Sequence, residues 1–268
     1  MRRITREIRG TRLTAWRDPG RRPPVVCVHG AGVSSREFLP FLEALAPHHD
    51  AWAVDLPGFG ASQDPSYGSE QPLGLRALAD SLDDWLAAAD LDPAVLLGSS
   101  FGCQVAVDFT VRRPERVAAL VLVGPTVDPA ARGFLHQVLR WARNAPHERP
   151  SMAPLNIADY RDAGPRRVAG AFAESLRDRV EDKLPHVPVP ALVVRGAQDR
   201  MVPQEWAEEA TRLLPAGRLA VVPRAGHMVP YRQPDALADL VRDFLTHALD
   251  PEAGAHTDGL PEAGRAAR

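Results

Sequence analysis

At positions 95–107 the chain reads Val95-Leu96-Leu97-Gly98-Ser99-Ser100-Phe101-Gly102-Cys103-Gln104-Val105-Ala106-Val107. An apolar, strand-like run leads through Gly-x-Ser-x-Gly into a helix-like run. A turn this sharp needs small flanking residues, strains its central serine and lifts the Ser100 hydroxyl to the top of a sheet, within reach of a base. The helix that follows directs backbone N–H groups at the same point, where an oxyanion could develop. The alternative is an ordinary glycine-rich turn, but the order of strand, motif and helix favours a nucleophile. Ser99, one place off the centre, is predicted to face away and to have a structural role only.

Strand-like and helix-like segments alternate on both sides of this turn. A hairpin is predicted at 4–9 and 11–17, and further strands at 24–28, 51–54, 95–98, 117–123, 191–195 and 218–222. Helices are predicted between them, at about 36–46, 73–89, 101–113, 204–213 and 235–247. Because continuous apolar strands alternate with amphipathic helices, the pattern predicts an α/β fold around a mostly parallel sheet.

The alternation stops between Gly124 and the strand that starts at Ala191. That distance is too long for a plain connection between a strand and its neighbour. Apolar residues recur here at helical spacing, in two groups: Phe134, Val138 and Trp141, and then Val168, Phe172 and Leu176. We expect residues 125–188 to form a helical cap over Ser100, with an ordinary packing subdomain as the alternative. Residues 1–124 and 189–249 would form the core.

Composition excludes several classes of function. The 268 residues carry a net charge of −2 with both signs intermixed, which predicts no nucleic-acid partner and no anionic membrane partner. No apolar run follows the N-terminal arginines as in a secretory signal, and none is long enough to span a bilayer. A cytoplasmic location is therefore expected. Residues 250–268, rich in Gly, Ala, Glu and Pro, are predicted to be a disordered tail.

The cysteines and basic residues give two further expectations. Cys27 and Cys103 lie in apolar segments, so they are predicted to be small core residues rather than a disulfide or metal site. No cluster of His and Cys has ligand spacing, and neither a metal nor another cofactor is expected. Lys183 is the only lysine against 31 arginines, which suggests a bacterial gene of high GC content.

Five motifs in this order resemble the α/β-hydrolase fold superfamily, and specifically its capped, esterase-like serine hydrolases. They are His29-Gly30-Ala31-Gly32, Asp55-Leu56-Pro57-Gly58-Phe59-Gly60-Ala61-Ser62, the turn at Ser100, Gly196-Ala197-Gln198-Asp199 and Gly226-His227. The resemblance covers about residues 4–248. It implies a mostly parallel central sheet flanked by helices, with an inserted helical cap and a triad in the order Ser, Asp, His.

The resemblance assigns a role to each residue of that triad. Ser100 would be the nucleophile and His227 the base that takes its proton, later returning it to the leaving group. Asp199 would orient the imidazole and stabilise its charged form. Asp128, which follows the preceding strand, is the alternative acid, although a turn residue before proline is its simpler reading. His29 is the rival histidine, and the resemblance implies that it supports the oxyanion loop.

An oxyanion hole needs two preorganised donors. The backbone N–H of Phe101, directly after the nucleophile, would be one, and that of Ala31 the other. Asp55 is structural by resemblance. Because serine rather than aspartate is the nucleophile, relatives that alkylate a carboxylate, such as haloalkane dehalogenases and epoxide hydrolases, are disfavoured.

Three functions remain open. The leading hypothesis is a serine hydrolase that acts on an ester, thioester or related acyl small molecule through an acyl-enzyme. The second is a carbon–carbon bond hydrolase, lyase or cyclase in a catabolic or biosynthetic pathway, for which Met228 after His227 is less typical. The third is a small-molecule binding protein that keeps the pocket without the chemistry. The sequence leaves the acyl group and the oligomeric state open.

Overall fold

A computed structural model describes residues 1–46, 48–62 and 73–249. Its eight strands within those ranges are β1 Arg2–Ile8, β2 Thr11–Asp18, β3 Val25–Val28, β4 Ala51–Val54, β5 Ala94–Ser99, β6 Val117–Val123, β7 Ala191–Gly196 and β8 Gly217–Val222. The ten α-helices of the same ranges are α1 Leu39–Leu45, α2 Leu75–Ala89, α3 Phe101–Arg112, α4 Phe134–Asn144, α5 Ala153–Ala163, α6 Pro165–Arg177, α7 Val180–Lys183, α8 Gln204–Leu213, α9 Val229–Arg232 and α10 Pro234–Leu249.

The strands form one sheet in the order β1-β2-β4-β3-β5-β6-β7-β8. The pairs β1–β2 and β2–β4 are antiparallel, and all other neighbours are parallel. The central strands β3, β4 and β5 are buried along their whole length, as continuous apolar runs require when helices cover both faces. Parallel strands end at the same edge, so the loops after β3, β5, β6, β7 and β8 meet there.

Two apolar clusters cover the two faces of the sheet. One joins α2, α3 and α8 to the sheet through residues such as Trp85, Phe109 and Trp206. The other joins α1 and α10 through residues such as Phe41 and Phe244. The chain therefore forms an α/β fold around a mostly parallel sheet with helices on both faces, as the sequence predicted, and the Ser100 turn follows one of its central strands.

Between β6 and β7 the chain forms helices α4 to α7 and several short 3₁₀ turns. We call residues 125–188 the helical insertion. The sequence predicted α4 and α6 but missed α5, whose apolar side chains do not form a continuous stripe. Elsewhere the bounds of β4, β6 and α8 are as predicted, and the ends of the other predicted elements differ by at most three residues. The expectation of a disordered tail at 250–268 lies outside the described residues.

Both cysteines are free and buried, in agreement with their predicted place in the core. Within the described ranges, no helix combines the length and apolarity needed to cross a bilayer.

Candidate active site

Ser100 lies at the turn between β5 and α3, with φ 53° and ψ −119°. The flanking glycines permit this backbone. A Cβ on Gly98 would lie 2.5 Å from the carbonyl oxygen of Gly102, and a Cβ on Gly102 would lie 2.0 Å from that of Val28. The strand and the helix therefore come into direct backbone contact at this turn, and only glycine fits at either position. The Ser100 hydroxyl emerges at the cavity, where its Oγ lies 3.5 Å from Oγ1 of Thr126.

Asp199 follows β7 and His227 follows β8, and the two side chains meet. Nδ1 of His227 lies 2.8 Å from Oδ2 of Asp199. The other carboxylate oxygen accepts from the backbone N–H groups of Met201, at 2.7 Å, and Val202, at 3.0 Å. The carboxylate therefore has a fixed orientation, and it fixes the imidazole with Nδ1 as donor. Nε2 of His227 is left as an acceptor, buried and without a hydrogen-bond partner among the described residues.

The charges around His227 favour its protonated form. Burial lowers the pKa of its imidazole, but the charge and hydrogen bond of Asp199, with smaller contributions from Glu148 and Glu37, outweigh burial and raise the pKa above its ordinary value of 6.5. Gly124, with φ +56°, passes so close to the ring that a Cβ there would lie 2.9 Å from two of its atoms. The ring is thus confined on one side by backbone and on another by a carboxylate.

Asp128, the alternative acid, is engaged elsewhere. Its carboxylate accepts from the N–H of Ala130 at 2.8 Å and pairs with Arg140 at 2.6 Å. It caps the turn that opens the helical insertion, which is the role that its position before a proline suggested.

His29 is held in the neutral form by its partners. Its Nε2 accepts from the N–H of Leu56 at 3.0 Å, so Nδ1 carries the proton and donates to the carbonyl of Gly30 at 2.8 Å. Burial lowers the pKa of this imidazole. Both ring nitrogens of His29 form hydrogen bonds to the backbone, so this side chain stabilises the turn after β3. Asp55 braces the same turn by accepting from the N–H of Ser35 at 2.9 Å.

Ala31 and Phe101, the residues predicted to supply the oxyanion donors, belong to the two turns that meet at Ser100. Phe101 is the first residue of α3, so its N–H has no intrahelical acceptor. In the turn after β3, the N–H of Gly30 donates to Oε1 of Glu37 at 3.3 Å. A Cβ on Gly30 would lie 3.3 Å from Cβ of Ser100, so this turn touches the nucleophile. Ala31 and Phe101 line the same cavity as Ser100.

Glu37 is a feature of the site that the sequence analysis missed. Its side chain is 1% exposed, lines the cavity and belongs to the 3₁₀ turn before α1. Burial raises the pKa of its carboxyl to about 8, against smaller lowering effects from the Gly30 N–H and His227. With that pKa, Glu37 is mostly protonated at pH 7, and no pattern in the neighbouring residues predicts this.

A cavity of about 1150 Å³ opens above Ser100 and His227. Its walls are mostly apolar. The helical insertion contributes most of them, through residues including Phe134, Val138, Trp141, Ile157, Val168 and Phe172. From α5, Asp159 accepts from the Ser34 N–H at 3.1 Å, which ties the insertion to the turn after β3. The arrangement presents a serine hydroxyl and an imidazole acceptor to an apolar chamber, with Ala31 and Phe101 in its wall.

Comparison with known proteins adds the family. Residues 25–240 match the alpha/beta hydrolase family. The chain is 30% identical over 260 residues to the 2-hydroxy-6-oxo-2,4-heptadienoate hydrolase of Pseudomonas putida, covering 87% of this chain and 92% of that protein. It is 27% identical over 270 residues to the pimeloyl-(acyl-carrier protein) methyl ester esterase of Neisseria meningitidis, covering 91% and 83%.

Among solved structures, the chain resembles a thermophilic esterase from Thermogutta terrifontis with malate bound. The TM-score is 0.76 at 25% identity, over 92% of this chain and 99% of the other. These relatives are named for different hydrolytic reactions. The similarity therefore identifies a hydrolase, and the substrate class has to be inferred from the site.

Proposed function

The chain belongs to the alpha/beta hydrolase family, and on that premise we propose that it hydrolyses an ester or thioester of a small or medium apolar acyl group through an acyl-Ser100 intermediate. The observation that carries the proposal is the His227–Asp199 pair, with a free imidazole acceptor, beside a serine at positive φ. The mostly apolar cavity supports the acyl class, because its walls suit hydrocarbon better than charged groups.

In the proposed reaction the Ser100 oxygen attacks the acyl carbonyl carbon while Nε2 of His227 takes the hydroxyl proton. Asp199 stabilises the imidazolium that forms. The carbonyl oxygen becomes an oxyanion, which accepts from the N–H groups of Ala31 and Phe101. The tetrahedral intermediate then expels the alcohol or thiol, which receives the proton from His227. A water molecule releases the acid by the same steps.

One movement precedes the attack. Ser100 Oγ lies next to Thr126, and no hydrogen bond joins it to Nε2 of His227 among the described contacts. Rotation about the Cα–Cβ bond of Ser100 would turn Oγ toward the imidazole. Catalytic hydrogen bonds are often long in unliganded enzymes and shorten in the substrate complex.

The helical insertion would act as the cap of this site. It forms most of the cavity wall, so the side chains of α4, α5 and α6 would select the acyl group. Several apolar residues of this wall are well exposed, among them Phe134 at 64% and Trp141 at 58%.

A second function has one observation in its favour. The relative from Pseudomonas putida is named for a keto-dienoic acid, and such a compound holds neither an ester nor an amide bond, so its hydrolysis breaks a carbon–carbon bond. Because the same base and oxyanion donors can serve that chemistry, carbon–carbon bond hydrolysis is the alternative for this chain. A binding protein that lacks turnover is the remaining possibility.

Labelling with a fluorophosphonate probe tests the proposal, with p-nitrophenyl esters of graded chain length as substrates. We expect wild type to react and to turn over esters, and Ser100→Ala to lose both. The matched control is Ser99→Ala, which removes a neighbouring buried hydroxyl and should keep both activities. Full ester hydrolysis by Ser100→Ala would refute the assignment. Labelling without ester turnover would favour the carbon–carbon alternative, and a folded wild type that does not label would favour a binding protein.

A further inference from the structure

One short segment of the helical insertion, residues 144–148, holds both loops of the Asp–His pair. Oδ1 of Asn144 accepts from the N–H of Arg200, the residue after Asp199, at 3.1 Å. Oε1 of Glu148 accepts from the N–H of His227 itself at 2.6 Å and from the next N–H at 3.2 Å. The segment therefore reaches the backbone of both loops directly.

The two side chains are also joined to each other. Nδ2 of Asn144 donates to Oε1 of Glu148 at 2.8 Å. Asn144 is the last residue of α4 and is 5% exposed, and a single 3₁₀ turn separates it from Glu148. A continuous chain of hydrogen bonds thus runs from the Asp199 loop, through Asn144 and Glu148, to the backbone of His227. We call Asn144 and Glu148 the loop clamp.

The glycine before His227 makes this approach possible. A Cβ on Gly226 would lie 2.5 Å from Oε1 of Glu148 and 2.9 Å from the carbonyl oxygen of His147. Any side chain there would push the segment away from the His227 loop. The Gly-His pair in the sequence therefore serves contact with the insertion as well as the turn after β8.

Two arginines reinforce the same junction. Arg232, on α9, donates to the carbonyl of His147 at 2.7 Å. Arg140, on α4, donates to the carbonyl of Met201 at 3.4 Å. Each loop is consequently bonded to the insertion by more than one contact, and all of these contacts cluster within one turn of the end of α4.

We propose that Asn144 and Glu148 are positioning residues, which fix the Asp199 and His227 loops relative to each other and so keep the imidazole in line for Ser100. This inference rests on the proposed function, in which that pair is the acid and base. The helical insertion would then have two tasks, because it would shape the acyl site and also assemble the proton-transfer machinery beneath it.

Electrostatics give the clamp a measurable signature. The carboxyl groups that act on His227 are those of Asp199, Glu148 and, when it is ionised, Glu37, and the charge of Glu148 favours the imidazolium. Removing that charge lowers the pKa of His227, whether or not the hydrogen bonds to its loop are kept. A side chain that merely supports packing would leave the pKa unchanged.

The test compares Glu148→Gln, Glu148→Ala and Asn144→Ala with wild type. Glutamine retains the acceptor oxygen and loses the charge, whereas alanine loses both. We expect kcat for a p-nitrophenyl ester to fall about 10- to 100-fold in the alanine variants, with a smaller change in KM, because small misplacements of catalytic groups cost that much. Glu148→Gln should recover most of kcat. The matched control is Arg143→Ala, an exposed residue of α4 outside the cavity wall, which should match wild type.

The acid limb of the pH–rate profile should move to lower pH in both Glu148 variants, and titration of the His227 ring by NMR should report the same direction. An unchanged His227 pKa in Glu148→Gln would overturn the clamp. So would a kcat of Glu148→Ala equal to that of wild type. If the alanine variants fail to fold, Glu148→Gln still decides through the titration, since it keeps the hydrogen bonds. The titration needs no turnover, so it is separate from the Ser100→Ala test of the proposed function.

Discussion

Glu37→Gln is the substitution from which the structure predicts the most distinctive result. The carboxyl is buried beneath the Ser100 turn, with Oε1 accepting from the N–H of Gly30 and Oε2 without a partner among the described residues. Burial raises its pKa from an ordinary 4.5 to about 8. The folded protein therefore keeps a proton on Glu37 over a pH range in which the unfolded chain has lost it.

That difference has a sign and a size. Below pH 4.5 the group is protonated in both states and has no effect. As the pH rises from there toward 8, unfolding releases a proton, so the free energy of unfolding decreases, by about 1.4 kcal/mol for each pH unit and by roughly 5 kcal/mol in total. Glutamine cannot ionise, so it is free of this loss.

The substitution also has a cost that does not depend on pH. The amide oxygen of glutamine can still accept from Gly30, but its NH₂ group is buried where the carboxyl oxygen had no partner, at about 1 to 3 kcal/mol. With a cost of about 2 kcal/mol, we therefore expect Glu37→Gln to be about 1 kcal/mol less stable than wild type near pH 5 and about 2 kcal/mol more stable near pH 8. The effect changes sign between these values.

Urea unfolding followed by circular dichroism at several values between pH 5 and 8 measures this difference. Other groups titrate in both proteins, so they cancel when wild type is subtracted from variant. Glu43→Gln is the matched control, because Glu43 is exposed on α1, and its difference from wild type should not change with pH. A Glu37→Gln difference that is equally flat would refute the account of a buried, protonated carboxyl.

Three further predictions concern the Asp–His pair and the serine turn. Asp199→Asn should lower kcat about 10⁴-fold by losing the correct imidazole tautomer, while Asp128→Asn should lose far less; equal losses would restore Asp128 as a candidate acid. Ester hydrolysis should rise with pH through an apparent pKa above 6.5, that of His227, and an activity flat across pH 5–8 would exclude a titrating imidazole as the base. Gly102→Ala should prevent stable folding, because its Cβ would lie 2.0 Å from the carbonyl oxygen of Val28 on β3. Gly133→Ala is the control, because its Cβ would lie 3.1 Å from a histidine ring that can move aside. A thermal melt should show normal unfolding for the control and no cooperative unfolding for Gly102→Ala.

Local patterns predicted the fold because buried parallel strands and sharp turns leave their mark in adjacent residues. The run from Val95 to Val107 contains the strand, the turn and the helix that together raise Ser100. Asp199 and His227 follow strands, so their common edge of the sheet could be inferred before their 2.8 Å contact was seen. In the same way, the position of Asp128 before a proline already indicated a turn residue, and in the structure it caps the turn at 129–131.

Residues whose roles come from distant contacts could not be found in this way. Asn144 and its partner Arg200 are 56 residues apart, and Glu148 is 79 residues from His227. In the sequence, Glu37 looks like an ordinary charged residue near the start of a helix. Its raised pKa comes from burial in the folded chain, which the neighbouring residues do not reveal. Helix α5 was missed because its cavity-lining positions mix apolar and polar side chains, so they show no apolar period.

The loop clamp has a consequence for anyone who wishes to redesign substrate choice. Exchanging the whole helical insertion for that of a relative would exchange the acceptors of the catalytic loops together with the acyl-binding wall. A transplant that keeps residues 144–148, which form a small part of the wall, and replaces the other wall-forming parts of α4, α5 and α6 would change most of the acyl site and keep the acceptors. Substrate selectivity could then be changed without altering the positions of the residues that transfer the proton.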